Sequence, residues 1–501
     1  MNRLNLKILF VFLIMFNKYY EKVNVWSNRK LQEKETSKFC FIFLHGKESN
    51  YDKNFYDAAE EVCDELGVVA EMKVNVEEGE ECYNTAKELA KSGCKGIFGD
   101  SFGHEEYLIK AAEEFPDVQF GHATGTQAHT KKLPNYHNAF ASIHEGRYTT
   151  GIAAGMKLNE MIENGEIKET EAKIGYVAAF PYAQVISGYT AFYLGVLSVC
   201  ESATMTVRYT NSWYNEEEEK NIAETLIDKD NCKIISQHAY SQGAPLACES
   251  KGVPNVFYNG ENSNLTNSYL ISSRINWRPY FRYFIKSTLN GNTMDYDYVG
   301  NLTNGAVEVY DASSIAAEGT QDAINTAIEQ LKSGEIKVFN TSKFTVSTEK
   351  NNMVVDDNKH LTSYKADIDY DEAYTGDTEV ISDGYFHESE YRSSPYFDII
   401  IDGVEEILNN SETTTDTITD TITDTNNSTN RNSNNFTVKK SSRGLNGGAI
   451  AGIIIGCVAA ILGIVAVFRI CPIQKPKKFS PYSMNASVNR LNINNINNIP
   501  K

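Results

Sequence analysis

The sequence predicts an α/β protein: two doubly wound parallel-sheet lobes, followed near the C-terminus by a single transmembrane helix. Three observations predict it. Short apolar runs alternate with helical patterns in two consecutive series between Lys38 and Ile336. The run Gly447 to Phe468 holds 22 residues without a charge, enough to cover the roughly 20 that cross a hydrocarbon core. Between these two regions the composition turns abruptly polar.

The first series opens with the strand Phe39 to Leu44 (FCFIFL) and a helical spacing of apolar residues from Phe55 to Leu66. Strand Val68 to Val76, helix Cys82 to Ser92 and a strand ending at Gly99 follow. Helix Glu105 to Phe115 then leads to strands Val118 to His122 and Ala139 to Ile143. A helix from Arg147 to Asn164 leads into the second series. That series holds strand Lys173 to Ala178, helix Gln184 to Cys200, strand Met205 to Tyr209 and helix Glu216 to Ile227. Strand Cys232 to Ser236, a short helix near Ala244 and strands Asn255 to Tyr258 and Tyr269 to Ser273 complete it. Two such sets imply two lobes whose ligand-facing edges are the carboxyl ends of their strands. Residues 38–343 form this region. Residues 344–408, rich in Tyr and Asp, are expected as a membrane-proximal addition with short strands such as Tyr396 to Ile401.

The ends of the chain set the topology. Arg3 and Lys7 precede the apolar run Ile8 to Phe16, which reads as a secretory signal within residues 1–25. The lack of a small-x-small cleavage site leaves an uncleaved signal anchor open. Residues 409–446 carry TITD repeats and too little apolar surface to offset their ordering entropy, as in a disordered stalk. Arg469, Lys475, Lys477 and Lys478 follow the apolar run, placing the tail 469–501 in the cytosol and the N-terminal region outside the cell. Gly448, Gly452 and Gly456 form a small-xxx-small face that would pack the helix of a second copy, although glycine is also common in membrane spans. Sequons at Asn264, Asn301, Asn340, Asn409, Asn426, Asn427 and Asn435 fall on the outer side, and one at Asn485 in the tail.

A net charge of -19 excludes a nucleic-acid partner, which needs a basic surface. Seven of the nine cysteines (Cys40, Cys63, Cys82, Cys94, Cys200, Cys232, Cys248) are on the outer side, with no zinc spacing. The odd count leaves at least one unpaired within the chain, and spacing alone assigns no pairs.

Two chemistries compete for the strand ends. Gly99-Asp100-Ser101-Phe102-Gly103 matches G-x-S-x-G between a strand and a helix, the pattern of a hydrolase nucleophile elbow. Its triad would draw on Asp228 and His238, which stand only ten residues apart, too close for two successive strand ends. The other reading covers far more of the chain. Ser101-Phe102-Gly103, Ala111 to Phe120, His122 to Gly125, Glu145-Gly146-Arg147-Tyr148, Ile174 to Pro181, Thr210 to Trp213, Gln237-His238 and Asn276-Trp277-x-Pro279-Tyr280 follow one another in order. From about Phe41 to Asp311 this series resembles the basic-membrane-protein family of ABC-transporter substrate-binding proteins, relatives of purine nucleoside receptors. The resemblance implies a type I periplasmic-binding fold, two lobes joined by a hinge and closing on a purine nucleoside or base, without catalysis or cofactor.

A purine needs flat apolar faces, for which Phe102, Phe180, Trp213 and Trp277 stand just past predicted strands, with Tyr51 or Tyr56 as the replacement face near the first strand end. Ser101, Thr124, Gln237, Glu261 and Asn276 offer hydrogen bonds to a base edge or ribose, and His122 and His238 donate or accept. Each has a plainer role available, the aromatics as core and Ser101 or Asn276 as helix caps. Arg147 is expected to pair with a carboxylate at the lobe boundary. Where the family has Gly-Trp, a hydroxyl residue and Tyr, this chain has Glu48-Ser49-Asn50-Tyr51, with serine at the tryptophan position. Where relatives place an acidic turn, it has Asn259-Gly260-Glu261. These departures leave ligand identity open, and with it a third reading as an interaction ectodomain that binds no small molecule.

Overall fold

The computed structural model describes residues 36–408 apart from 263, 349 and 369–375. The signal segment, the stalk, the apolar run 447–468 with its glycines and the tail lie outside the described residues. Among the described residues, no helix is long and apolar enough to cross a membrane.

The chain begins β1 (Lys38–Ile42), α1 (Asn50–Leu66), β2 (Val69–Lys73), α2 (Glu80–Lys91), β3 (Cys94–Gly99), α3 (Glu105–Glu114), β4 (Gln119–Ala123), α4 (Ala128–Lys131) and β5 (Tyr136–Ala141). It continues through α5 (Ile143–Glu163), β6 (Lys173–Ala178), α6 (Ala183–Leu197), β7 (Thr204–Tyr209), α7 (Glu216–Asp228), β8 (Ile234–His238), α8 (Gly243–Lys251), β9 (Asn255–Tyr258) and β10 (Tyr269–Ile275). Then come α9 (Arg278–Asn290), β11 (Asp297–Gly300), β12 (Val307–Val309) and α10 (Thr320–Ser333).

Two sheets result. The first runs β11-β5-β4-β3-β1-β2 with every pair parallel. The core of the second runs β10-β9-β8-β6-β7, also parallel, with β12 antiparallel on β10. Each sheet therefore repeats one winding, in which the second strand lies outside the first and the third on its other side. The switch point of each is where its first and third strands, β1 and β3 or β6 and β8, part in opposite directions, and that is where α/β sheets bind ligands.

Apolar burial explains why the sheets hold. Phe39, Phe41 and Phe43 face α1 and α9, while Cys40 and Ile42 face α2 and α3. A disulfide joins Cys40 to Cys94 across β1 and β3, and Cys63, Cys82, Cys200, Cys232 and Cys248 remain free and buried. In the second lobe α7 and α8 cover one face of the sheet, and α5 and α6 the other. The last two helices touch through glycine: a Cβ on Gly151 would meet the Phe192 carbonyl oxygen at 2.0 Å, and one on Gly195 the Tyr148 carbonyl oxygen at 2.0 Å. Any side chain there would push the helices apart.

The chain crosses between lobes three times, after β5, after β10 and between β11 and β12. The crossings are cross-linked: Ser142 N donates to Gly300 O at 2.7 Å, Asn276 N to Ala306 O at 2.8 Å, and Leu302 N to Glu145 Oε2 at 2.9 Å.

Beyond Lys343 the chain folds back onto both lobes. Strands β13 (Met353–Val355), β14 (Leu361–Ala366) and β15 (Thr378–Glu379) form one small sheet, and β16 (Ile381–Ser382) with β17 (Tyr385–Phe386) another. Tyr396–Ile401, expected as a strand, pairs with no ladder, and its side chains Tyr396, Phe397, Ile399 and Ile401 are buried. The strand forms later: β18 (Val404–Ile407) joins the second sheet parallel to β7. Gly403 (φ 88°) makes the entry, because a Cβ there would meet the Tyr193 hydroxyl at 2.1 Å.

Candidate functional site

The carboxyl ends of β1 and β3 carry a buried acidic pair. Ser49 caps α1, its hydroxyl accepting from Asp52 N at 3.3 Å and donating to the Asp52 carboxylate. Asp52 Oδ1 also accepts from His45 N at 2.7 Å, and Asp100 Oδ1 from Leu44 N at 3.1 Å. Burial and the neighbouring Asp52 push the Asp100 carboxyl far above its usual range, so Asp100 keeps a proton beside its partner. Serine at the family's tryptophan position thus builds this cap rather than offering a ring.

Beside the pair, Tyr51 donates from its hydroxyl to Asp100 O at 2.9 Å and lays its ring on Tyr240 of the other lobe, 4.7 Å away and tilted by 9°. Tyr240 stacks in turn on Trp213 (5.4 Å, 12°) and Tyr258 (5.7 Å, 14°). Phe180 stacks on Tyr182 (5.1 Å, 12°) and meets Trp213 edge-on at 5.1 Å, while Phe102 faces Tyr182 from the first lobe at 5.9 Å. Of the aromatics singled out in the sequence, Tyr51, Phe102, Phe180 and Trp213 come together. Trp277 does not join them: it stacks on Phe55 at 4.2 Å inside the first lobe, amid Phe98 and Phe281. Tyr240 and Tyr258 escaped the sequence reading, although Tyr240 follows and Tyr258 ends a strand it had placed.

The polar candidates divide. Gln237 Oε1 accepts from Asn255 Nδ2 at 2.9 Å, while its Nε2 and the Nδ1 atoms of His122 and His238 are buried without a protein partner. Burial holds the His122 imidazole down at about 4, and burial with the charge of Arg147 holds His238 well below the ordinary range, so both rings are neutral. His122 Nε2 lies 2.7 Å from Ser101 O. Thr124 takes a left-handed backbone (φ 64°), as do Asn211 (φ 55°) and Asn259 (φ 53°), each just past a strand. A β-branched residue there is strained, a feature that clusters at binding sites. Asn276 precedes the cap residue Trp277 of α9, accepts from Arg278 N at 3.1 Å, and donates to Gly305 O and Glu308 within the hinge. Glu261 is exposed on its loop; its neighbour Asn259 is the buried residue, accepting through its carbonyl from Asn54 Nδ2 across the lobes at 2.5 Å.

Ser101 does not have a nucleophile's surroundings. Its hydroxyl donates to Glu78 Oε1 at 2.6 Å, and Gly103 N donates to the same oxygen at 2.9 Å. Its backbone is relaxed and extended (φ -94°, ψ 144°), unlike the strained turn of an elbow.

Arg147 departs from expectation. It is 2 % exposed, and among the described residues no carboxylate pairs with it. Its guanidinium lies 4.6 Å above the Tyr258 ring, with Nη1 at 3.5 Å from Gln237 O and Nε unpartnered.

The chain is 29 % identical over 288 residues to a purine-binding protein of Brucella abortus, covering 56 % of this chain and 77 % of that one. It is 29 % identical over 259 residues to a putative ABC transporter glucose-binding protein of Haloferax volcanii, covering 52 % and 62 %. A metabotropic glutamate receptor-like protein of Dictyostelium discoideum is 25 % identical over 278 residues, 53 % of this chain and 34 % of the receptor-like protein. Solved solute-binding proteins of ABC transporter systems share the fold. That of Conexibacter woesei has a TM-score of 0.50 at 17 % identity over 60 % of this chain and 98 % of its own. That of Aeropyrum pernix has 0.51 at 15 % over 63 % and 94 %. The family model for PnrA-like ABC transporter substrate-binding proteins matches residues 43–342, and the chain belongs to that family.

Proposed function

We propose that the protein captures a purine nucleoside or base between its lobes and presents this binding domain outside the cell from a single membrane helix. One observation carries the ligand class: flat rings from both lobes, Tyr51, Phe102, Phe180, Trp213 and Tyr240, converge where the two switch points face each other, beside buried polar atoms without protein partners. Stacking on such rings is worth about 1–3 kcal/mol per base and tolerates any base. The purine-binding relative from Brucella abortus supports the class. The tether rests on the uncharged run 447–468 and the basic residues behind it.

A second reading draws on the direct contacts between lobes. Asn50 N donates to Tyr240 O at 3.2 Å, and Gln242 Nε2 to Asn50 Oδ1 at 3.2 Å, so the lobes also hold each other without help. On that reading the domain is an interaction module. Mass spectrometry of small molecules released on denaturing the purified full chain, with thermal-shift screening against adenosine, guanosine, inosine and adenine, decides between the two. The proposal expects a released purine or a rise in Tm. If no small molecule is released and no shift appears at millimolar ligand, the purine assignment is removed.

A further inference from the structure

The cleft contains a buried cation with which no carboxylate pairs among the described residues. Arg147 sits in the second turn of α5, where the chain has just crossed from the first lobe to the second, and it is almost wholly buried. Its surroundings are the Tyr258 ring, the Gln237 carbonyl, Tyr176 and His238. None of these is anionic: His238 is neutral, and burial raises the Tyr176 and Tyr258 phenols above their ordinary range. The other buried arginine among the described residues is compensated: the Arg392 guanidinium donates to four carbonyl oxygens, of Ser394, Asp367, Ile368 and Pro395. Arg147 has one long contact to a carbonyl.

An unpaired guanidinium in a low-dielectric interior is costly, and such a group persists where something else supplies the opposite charge. Its neighbours are of the kind that bind oxyanions. Arg147 Nε, Gln237 Nε2, Tyr176 hydroxyl and Ser273 hydroxyl all lack protein partners while buried. Ser273 belongs to the same corner, its Oγ lying 3.0 Å from where a Cβ on Gly146 would stand. Tyr258, beneath the guanidinium, also stacks on Tyr240, so this corner adjoins the aromatic cluster.

We propose that Arg147 is a ligand-binding residue and that the molecule captured carries a negatively charged oxyanion, so that a nucleoside monophosphate is preferred over its neutral nucleoside. The inference rests on the purine reading for the identity of the remainder of the ligand, but the oxyanion corner stands on its own residues. A planar guanidinium with flanking amide and hydroxyl donors matches the oxygens of a phosphate.

Isothermal titration of the full chain with adenosine against AMP, and guanosine against GMP, tests it in wild type, Arg147→Gln and Arg147→Lys. A parallel thermal-shift series uses inorganic phosphate alone, at ionic strength held constant with chloride. Wild type is expected to bind a monophosphate roughly tenfold or more tighter than the nucleoside, as for a charged hydrogen bond, and to gain Tm with phosphate. Arg147→Gln should lose both effects and Arg147→Lys should keep part of each. The ligand-free Tm of Arg147→Gln should be unchanged or higher, because the substitution removes an unpaired buried charge. Nucleosides bound as tightly as monophosphates, with wild type and Arg147→Gln alike, would overturn the oxyanion proposal and leave the purine reading standing. Phosphate stabilising wild type but not Arg147→Gln, with no purine bound, would support the oxyanion corner and remove the purine reading. A phosphate response equal in both proteins would overturn the proposal whatever the purines do.

Discussion

Tyr240 has its ring against three others, Tyr51 from the first lobe and Trp213 and Tyr258 from its own, and is itself fully enclosed. Trp213 is the member of this group that keeps partial exposure, so it can lose its ring with less damage to the fold. Trp213→Ala should weaken ligand binding by about 1–3 kcal/mol, measured by titration calorimetry, with a smaller loss of Tm than Tyr240→Ala, which opens a cavity. The strand-end rule applied to the sequence found Phe180 and Trp213 because β6 and β7 do end at the cleft. It misplaced Trp277 because β10 ends at a crossing: the chain there leaves the second lobe, and the next side chain buries in the first. No local pattern distinguishes a strand that ends at a ligand from one that ends at a hinge. Arg147 was legible as a boundary residue, but the missing counter-charge is a property of three dimensions.

At the scale of elements, the parallel strands β1 to β10 were legible to within a few residues, since each is a short apolar run bounded by turns, whereas β11, four residues long and beyond the second series, was not. Nor was the segment after Lys343. Its strands are two to six residues long in a Tyr- and Asp-rich segment, and they gain order from the lobes they cover. One group in this segment gives it a measurable signature. Glu388 is buried, accepts from Ser187 Oγ on α6 at 2.8 Å and from Phe397 N at 3.0 Å, and burial raises its carboxyl to about 7. The unfolded chain releases that proton near 4.5, so between about pH 4.5 and 7 the folded state holds a proton that the unfolded state lacks. Stability from this residue is therefore full below pH 4.5 and falls as pH rises to 7, by on the order of 3 kcal/mol. Glu388→Gln keeps the shape and cannot ionise. Thermal unfolding across this range should show the variant losing less stability than wild type as pH rises, against a background to which Glu219, also raised to about 7, and Asp100 contribute in the same direction as Glu388 and the neutral His122 and His238 in the opposite one. An identical slope in both proteins would refute the assignment.

At the scale of the molecule, the segment 344–408 connects what the hinge separates. Ser393 donates from its backbone and hydroxyl to Asp297 Oδ1 on β11 at 2.9 and 2.7 Å, in the first lobe, where His129 also meets Asp297. Glu388 holds α6, and Glu406 on β18 accepts from the Tyr189 and Tyr209 hydroxyls, in the second. A chain ended after Lys343 would expose the edge of β7 and the apolar surface now covered by Tyr396, Phe397, Ile399 and Ile401. Each such side chain contributes about 2 kcal/mol on burial, so the shortened protein should unfold about 10 °C or more below one ended after Leu408. Scanning calorimetry measures the difference, and size-exclusion chromatography should show self-association through the opened edge. Equal melting temperatures would mean that the segment is an appendage.

β18 is also where the described chain leaves the fold. Its four rungs run parallel to β7, from Val404 opposite Met205 to Ile407 opposite Arg208. A pull arriving from the C-terminal side and drawn along the strand strains these rungs together instead of peeling them one after another. Under such a pull the four rungs act as a mechanical clip loaded in shear, and force would enter the second lobe beside the strand that leads to Trp213.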